Sequence, residues 1–157
     1  EITGASLHAQ PASMIVRGMK TLELRMLRHN ENGMAVARFL AGHPKVDQVF
    51  YPGLPEHPNH AIAKKQMHGF GGMLSFSLKG GFDSVVVVLQ SLKLAHKAAS
   101  LGSVGTLVGP PRTTSHVELS AQERADAGIP EGLIRYSAGI ENADDLIADL
   151  EQALARA

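Results

Sequence analysis

The sequence contains no cysteine and no tryptophan among its 157 residues. The absence of cysteine excludes a disulfide framework and any chemistry that needs a thiolate. It also fits a reducing compartment, and we expect a cytoplasmic protein. Aromatic residues make up only 4% of the chain, which is too little for a surface on which nucleic-acid bases stack.

Net charge and long apolar runs are absent as well. The 15 basic and 15 acidic side chains cancel, so the sequence has no electrostatic basis for binding nucleic acid or an anionic membrane. The longest apolar run, residues 85–89, is far shorter than the roughly 18 residues of a membrane span. We therefore expect neither nucleic acid nor membrane as a partner.

The residues that are present suffice for one domain with a substantial core, since 44% are hydrophobic. Their periodicity predicts helices at 11–40, 61–67 and 82–92. Capping signals predict a short helix that begins after Ser120 and a last helix that begins after Asn142. Strands are predicted at 46–50, 73–78, 94–101 and 132–140. The predicted fold class is α+β, with a mainly antiparallel sheet and helices packed on one of its faces.

The most informative stretch is 133–141, a short apolar strand with Arg135 at its centre. A buried guanidinium is costly unless an anion meets it, and its planar fork suits a carboxylate held by two hydrogen bonds. Arg135 is therefore a candidate receptor for a substrate carboxylate. An internal ion pair, with Glu141 for example, explains the same pattern, and the stretch alone leaves both interpretations open.

Other motifs carry weaker signals. Ser100, Leu101 and Gly102 follow an apolar strand and precede a proline-rich loop, where backbone amides and a hydroxyl could share an anion with Arg135. An ordinary connecting loop is an equal alternative. Ser115 and His116 are adjacent, but adjacency does not itself bring a histidine within reach of a serine nucleophile. The sequence therefore favours a structural interpretation of that pair.

Several motifs together, in order along the chain, resemble one enzyme family. They are Arg17-Gly18-Met19-Lys20-Thr21-Leu22 with Arg25-Met26 and Arg28-His29, Tyr51-Pro52-Gly53-Leu54, Gly71-Gly72-Met73 with Ser75-Phe76, Ser100-Leu101-Gly102, the Pro111 to His116 loop, Glu123-Arg124, Gly128-Ile129 and the Leu133 to Glu141 strand. The series is similar to that of the cysteine/methionine-metabolism, or trans-sulfuration, enzymes that depend on pyridoxal 5'-phosphate (PLP).

The resemblance implies a fold-type I PLP enzyme in which residues 16–157 form the C-terminal small domain that binds the substrate carboxylate. Residues 1–15 would be the end of the large domain. The family arginine that binds the α-carboxylate falls on Arg135, and the serine and leucine that approach it fall on Ser100 and Leu101. The family threonine of the neighbouring loop falls on Ser115, which keeps the hydroxyl and lacks the methyl group.

The resemblance also implies what this chain does not supply. The Schiff-base lysine and the other PLP-binding residues of the family lie upstream and have no counterpart here, so this chain has no catalytic or cofactor-binding residue of its own. The start at Glu1, without an initiator Met, leads us to expect such residues upstream. The family usually forms homotetramers, and we expect the same here.

Ala99 bears on the choice of substrate within the family. Several cystathionine-handling members have a glutamate at this place, and an apolar residue suits an uncharged thioether better. With Ile2-Thr3-Gly4-Ala5 and the first helix, this favours methionine γ-lyase, which converts L-methionine to methanethiol, ammonia and 2-oxobutanoate. Cystathionine γ-synthases, cystathionine γ-lyases and O-acylhomoserine sulfhydrylases share nearly all the motifs. A carboxylate-binding module without catalysis and a purely structural domain are the non-enzymatic alternatives.

Overall fold

A computed structural model describes residues 6–157 of the chain. The helices are α1 (Ala9–Met19), α2 (Leu22–Ala41), α3 (His60–Gln66), α4 (Gly81–Ser91), α5 (Ala121–Asp126) and α6 (Ala143–Leu154). The strands are β1 (Val46–Phe50), β2 (Met73–Leu78), β3 (His96–Lys97), β4 (Leu107–Gly109) and β5 (Leu133–Ser137), and a 3-10 turn covers Pro111–Thr113.

The five strands form one sheet in the order β1-β2-β5-β4-β3. All neighbours are antiparallel except β3 and β4, so the prediction of a mainly antiparallel sheet is confirmed. The last strand in the chain, β5, lies at the centre of the sheet. Its middle residue, Arg135, is in register with Ser75 on one side and Gly109 on the other.

The core lies between one face of the sheet and three helices. Residues in register across β2, β5 and β4 point to that face and are at most 2% exposed: Leu74, Phe76, Ile134, Tyr136 and Val108. Helices α2 and α4 pack against these strands, and α6 packs against both helices. Because strand residues alternate between faces, Arg135 belongs to the opposite face, away from these helices.

The predicted helix over 11–40 is two helices, with a break at Lys20 and Thr21. The break follows Gly18, a poor helix former, and the guanidinium of Arg25 compensates for the lost helical bonds. Arg25 donates to the Gly18 carbonyl over 2.8 Å and to Thr21 Oγ1 over 3.3 Å. A carbonyl at the end of α1 is thereby satisfied by a side chain from α2.

The predicted strand over 94–101 is wrong for most of its length, because only His96–Lys97 pairs with a neighbour. The short strand β4 (Leu107–Gly109) was not predicted. The caps are as predicted: Ser120 and Glu123 form a capping box, and the Asn142 side chain accepts from the Asp144 amide over 2.8 Å.

Helix α2 approaches the entry to β2 with almost no space between the backbones. A Cβ at Gly33 would lie 2.4 Å from the Gly71 carbonyl oxygen, so only glycine fits there. The Tyr51 hydroxyl donates to the same carbonyl over 2.8 Å, and the Gly71 amide donates to the Asn30 side chain over 2.7 Å. The glycine-rich segment is thus a strand entry, as predicted.

Most large apolar side chains of α1 are exposed, including Met14 at 67% and Met19 at 61%. The predicted domain boundary after residue 15 falls inside this helix and stays a prediction, and residues 2–5 lie outside the described part of the chain. Within residues 6–157, every helix is too short or too polar to serve as a membrane span.

Candidate carboxylate-binding site

Arg135 lies half-buried in the middle of the sheet, on the face away from α2, α4 and α6. Its Nη2 donates to the Ser100 carbonyl over 3.1 Å. Since a guanidinium has five N–H donors, this single bond leaves donors for a further acceptor. The structure thus brings together Arg135 and Ser100, which sequence analysis had proposed as parts of one site.

The alternative partner, Glu141, is engaged elsewhere. Its Oε1 accepts from the Thr106 amide over 2.6 Å, and its Oε2 accepts from the Thr106 hydroxyl over 2.9 Å. No carboxylate of residues 6–157 forms an ion pair with Arg135. The hypothesis of an internal pair between Arg135 and Glu141 is therefore not supported by the geometry.

A second bond ties the Ser100–Gly102 segment to the same strand. The Gly102 amide donates to Ser137 Oγ over 3.0 Å, and Ser137 lies two residues after Arg135 on the same face of β5. Gly102 has φ +74°, a left-handed conformation that favours glycine. Between these two bonds Leu101 is 57% exposed, so its side chain is available for contact beyond this chain.

Ala99, directly before this segment, lines a mostly apolar cavity of about 460 Å³. The cavity lies between α4 and the loop that follows β4, and its other lining residues include Val86, Leu89, Pro110 and Thr114. Lys97 also lines the cavity, which lies on the α4 side of the sheet, opposite the face of Arg135. None of its lining residues carries a negative charge.

Ser115 is placed differently from the other candidates. Its Oγ lies 2.8 Å from His116 Nδ1, so the two adjacent side chains are in hydrogen-bond contact. Within the described residues no side chain orients the remaining ring nitrogen of His116, and no bond joins Ser115 to Arg135. The Ser–His contact therefore lacks the third group that supports a nucleophile.

An arginine–glutamate network that sequence analysis missed supports the Ser115 loop. Glu131 accepts from Arg124 Nη2 over 2.8 Å and from Arg112 Nη1 over 2.5 Å. The hydrogen bond from Arg124 and the charges of both arginines hold the pKa of Glu131 below its usual range. Arg112 also lies 4.1 Å from the Phe82 ring, which joins the loop to α4. The Glu123-Arg124 motif was the only signal for this network in the sequence.

The absence of PLP-binding residues from this chain stays a prediction for residues 6–157. None of their lysines is buried, so none has the protected setting in which a lysine amine loses its charge and becomes reactive. The Gly71 amide, in the glycine-rich segment, is already bonded to Asn30 and does not point into a phosphate cradle. The described residues therefore offer an arginine with unused donors and no buried lysine.

Comparison with known proteins shows the family. The family model for "Cys/Met metabolism PLP-dependent enzyme" matches residues 1–155. The chain belongs to this family. Its members depend on PLP, so the cofactor of the family is pyridoxal 5'-phosphate.

Individual relatives cover several activities of the family. An L-methionine gamma-lyase of Fusobacterium nucleatum subsp. polymorphum is 52% identical over 154 residues, which are 98% of this chain and 39% of the relative. A cystathionine gamma-lyase of Dictyostelium discoideum is 48% identical over 90% of this chain and 36% of its own length. The chain thus spans about two fifths of the length of these relatives.

A solved structure is also similar to most of this chain. The crystal structure of cystathionine gamma synthase from Xanthomonas oryzae pv. oryzae in complex with cystathionine superposes with a TM-score of 0.84 at 46% identity. The match covers 89% of this chain and 36% of that chain. The mixed αβ fold with its five-stranded sheet is therefore that of a trans-sulfuration enzyme over the matched part.

Proposed function

We propose that residues 16–157 are the C-terminal domain that binds the substrate α-carboxylate in a PLP-dependent trans-sulfuration enzyme, with residues 1–15 at the end of the large domain. The observation that carries the proposal is Arg135. Its guanidinium has no carboxylate partner in residues 6–157 and is steered by the Ser100 carbonyl at the centre of the sheet.

The role of these residues is orientation. A carboxylate bound to the free edge of Arg135 would fix one end of an amino acid, and the Ser100–Leu101 segment would limit its position from the side. When bound, PLP supplies the electron sink of the reaction. The residues of this chain contribute the binding geometry, and the proton-transferring lysine would come from the part of the parent enzyme that this chain does not contain.

We further propose that the substrate is L-methionine, cleaved by α,γ-elimination to methanethiol, ammonia and 2-oxobutanoate. Ala99 supports this choice, because an apolar residue at the place where several cystathionine-handling members have a glutamate suits an uncharged thioether better. Cystathionine γ-synthase, cystathionine γ-lyase and O-acylhomoserine sulfhydrylase activities are the competing proposals, and relatives with cystathionine activities are 42% to 50% identical. A homotetramer in the cytoplasm is the assembly and location we propose from the family resemblance.

The decisive experiment replaces Arg135 in the parent enzyme. We expect Arg135→Ala to lower kcat/KM for the amino acid by roughly 30-fold or more, because truncating a charge that binds a carboxylate costs about 2–5 kcal/mol. PLP absorbance and Tm should be retained. The exposed Arg38, on α2, provides the matched control Arg38→Ala.

Two results would contradict the proposal. Unchanged kinetics for Arg135→Ala would exclude the carboxylate-binding role, and loss of folded protein would indicate that the arginine is structural. Comparing kcat/KM for L-methionine, cystathionine and O-acetylhomoserine then separates the family members. A preference for either of the latter two would overturn the methionine assignment and keep the family.

A further inference from the structure

The segment that carries Ala99, Ser100 and Leu101 is held at both ends by a carboxylate. Asp149 of α6 binds its start, and Glu141 binds its end at Thr106. We propose that Asp149 and Glu141 are positioning residues that fix the Ser100 carbonyl against Arg135 and so set the geometry of substrate binding. This inference rests on the carboxylate-binding function proposed above.

Asp149 is 5% exposed and lies in the middle of α6. Its Oδ1 accepts from the Lys93 amide over 2.8 Å, and its Oδ2 accepts from the Leu94 amide over 2.9 Å and from the Ala95 amide over 3.4 Å. Buried carboxylates are costly without compensation, and these amides supply it. The carboxylate therefore fixes the backbone where the chain leaves α4 and enters β3.

Glu141 fixes the backbone at the other end of the segment, at Thr106. It accepts from both the amide and the hydroxyl of Thr106, which is fully buried. The Thr106 hydroxyl in turn accepts from the Gly139 amide over 2.8 Å. A Cβ at Gly139 would lie 2.3 Å from Glu141 Oε2, so the carboxylate fills the space that a side chain there would need.

Between the two anchors, the His96 amide donates to the Thr106 carbonyl over 2.8 Å and the Ala98 amide donates to the Val108 carbonyl over 3.1 Å, so β3 connects the Asp149 anchor to the residue that Glu141 holds. Residues 99–104 are exposed. The bonds that hold them run to β5 and to the segment that follows it: Ser100 to Arg135, Gly102 to Ser137 and Val104 to Ile140. A shift of the backbone at Asp149 or at Glu141 would move the Ser100 carbonyl, and the Arg135 guanidinium that donates to it would rotate. A displacement of about 1 Å at such a position costs up to about 10²-fold in rate.

The test uses matched variants of the parent enzyme. Asp149→Asn replaces one carboxylate oxygen, which accepts from backbone amides, by an amide NH₂ group, which cannot accept. The matched control is Asp145→Asn, at an exposed position on the same helix. Thr106→Val keeps the shape and removes the hydroxyl that bridges Glu141 and Gly139, and Thr106→Ser restores it. We expect Asp149→Asn and Thr106→Val to raise KM for the amino acid about 10-fold, with a smaller effect on kcat.

A second readout follows the segment directly. Amide hydrogen exchange at residues 93–102 should accelerate in Asp149→Asn and Thr106→Val and stay at the wild-type rate in Asp145→Asn and Thr106→Ser. If Asp149→Asn does not fold, the Thr106 pair alone decides the outcome. An unchanged KM in Thr106→Val, or a raised KM that Thr106→Ser does not restore, would overturn the proposal.

Failure of the underlying function gives a different pattern. If Arg135→Ala leaves KM unchanged, then the carboxylate-binding function is excluded whatever the anchor variants do. If Arg135→Ala raises KM and Thr106→Val accelerates exchange without changing KM, then only the positioning role is excluded. The two failures are therefore distinguishable.

Discussion

Replacing Gly33 with alanine tests the close approach between α2 and the entry to β2. The added Cβ would lie 2.4 Å from the Gly71 carbonyl oxygen, 3.1 Å from Gly72 Cα and 3.1 Å from the Tyr51 hydroxyl. The first two neighbours are backbone, which cannot rotate away as a side chain does. Helix and strand entry must therefore separate, and the bond from Tyr51 to Gly71 is stretched or lost.

The expected magnitude combines three effects. Overpacking in a filled site costs typically 1–3 kcal/mol, and loss of one hydrogen bond costs about 0.5–1.5 kcal/mol. Alanine regains about 1 kcal/mol through its higher helix propensity. We therefore expect Gly33→Ala to lower the free energy of unfolding by about 0.5–3.5 kcal/mol.

Gly42 at the end of the same helix provides a control of opposite sign. Its φ is −91°, and a Cβ there would meet nothing closer than 3.8 Å. Gly42→Ala should stabilise by about 0.4–1 kcal/mol, because alanine restricts the unfolded chain without strain in the folded one. Both variants can be compared by urea denaturation of the 157-residue chain, where a 2 kcal/mol loss shifts the midpoint by about 1 M. Equal midpoints for Gly33→Ala and the wild type would refute the packing argument.

Two further predictions concern the site loop and the last helix. The hydrogen bond from Arg124 lowers the pKa of Glu131 from its ordinary 4.5, so its stabilising effect is present above that value and is lost as the pH falls through the folded-state pKa. The Tm of the wild type should therefore fall more steeply than that of Glu131→Gln between about pH 5 and about pH 3, and parallel curves would contradict this. Asn142→Ala removes the cap of α6 and should cost about 0.5–2 kcal/mol in urea denaturation, whereas Asn142→Asp should restore most of it.

Local patterns predicted the elements whose structure depends on neighbours in sequence. The bounds of β2 were predicted to the residue, because apolar residues alternate between Met73 and Leu78 with glycines on both sides. The capping signals at Ser120 and Asn142 were confirmed for the same reason. The position of Arg135 on a strand was predicted from the apolar run around it, whereas the central place of that strand in the sheet was not predicted.

Long-range contacts explain what was missed. Residues 94–101 look like a strand because they are partly apolar, but Asp149 and Arg135 hold them as a loop from more than 30 residues away. Strand β4 is only three residues long and ends at prolines, so no periodicity reveals it. The break between α1 and α2 depends on the side chain of Arg25, which propensity does not include.

The central place of β5 in the sheet also determines when the sheet can form during synthesis. Nascent chains emerge from the amino terminus, so β1 and β2 are available early, whereas β4 can join them only after β5 has been made and inserted between β2 and β4. Such late, distant pairing slows folding. A chain that ended at residue 130 would carry Ser100 without the arginine that binds its carbonyl. Truncated products should therefore lack the arginine site altogether and expose unpaired edges of β2 and β4 to aggregation.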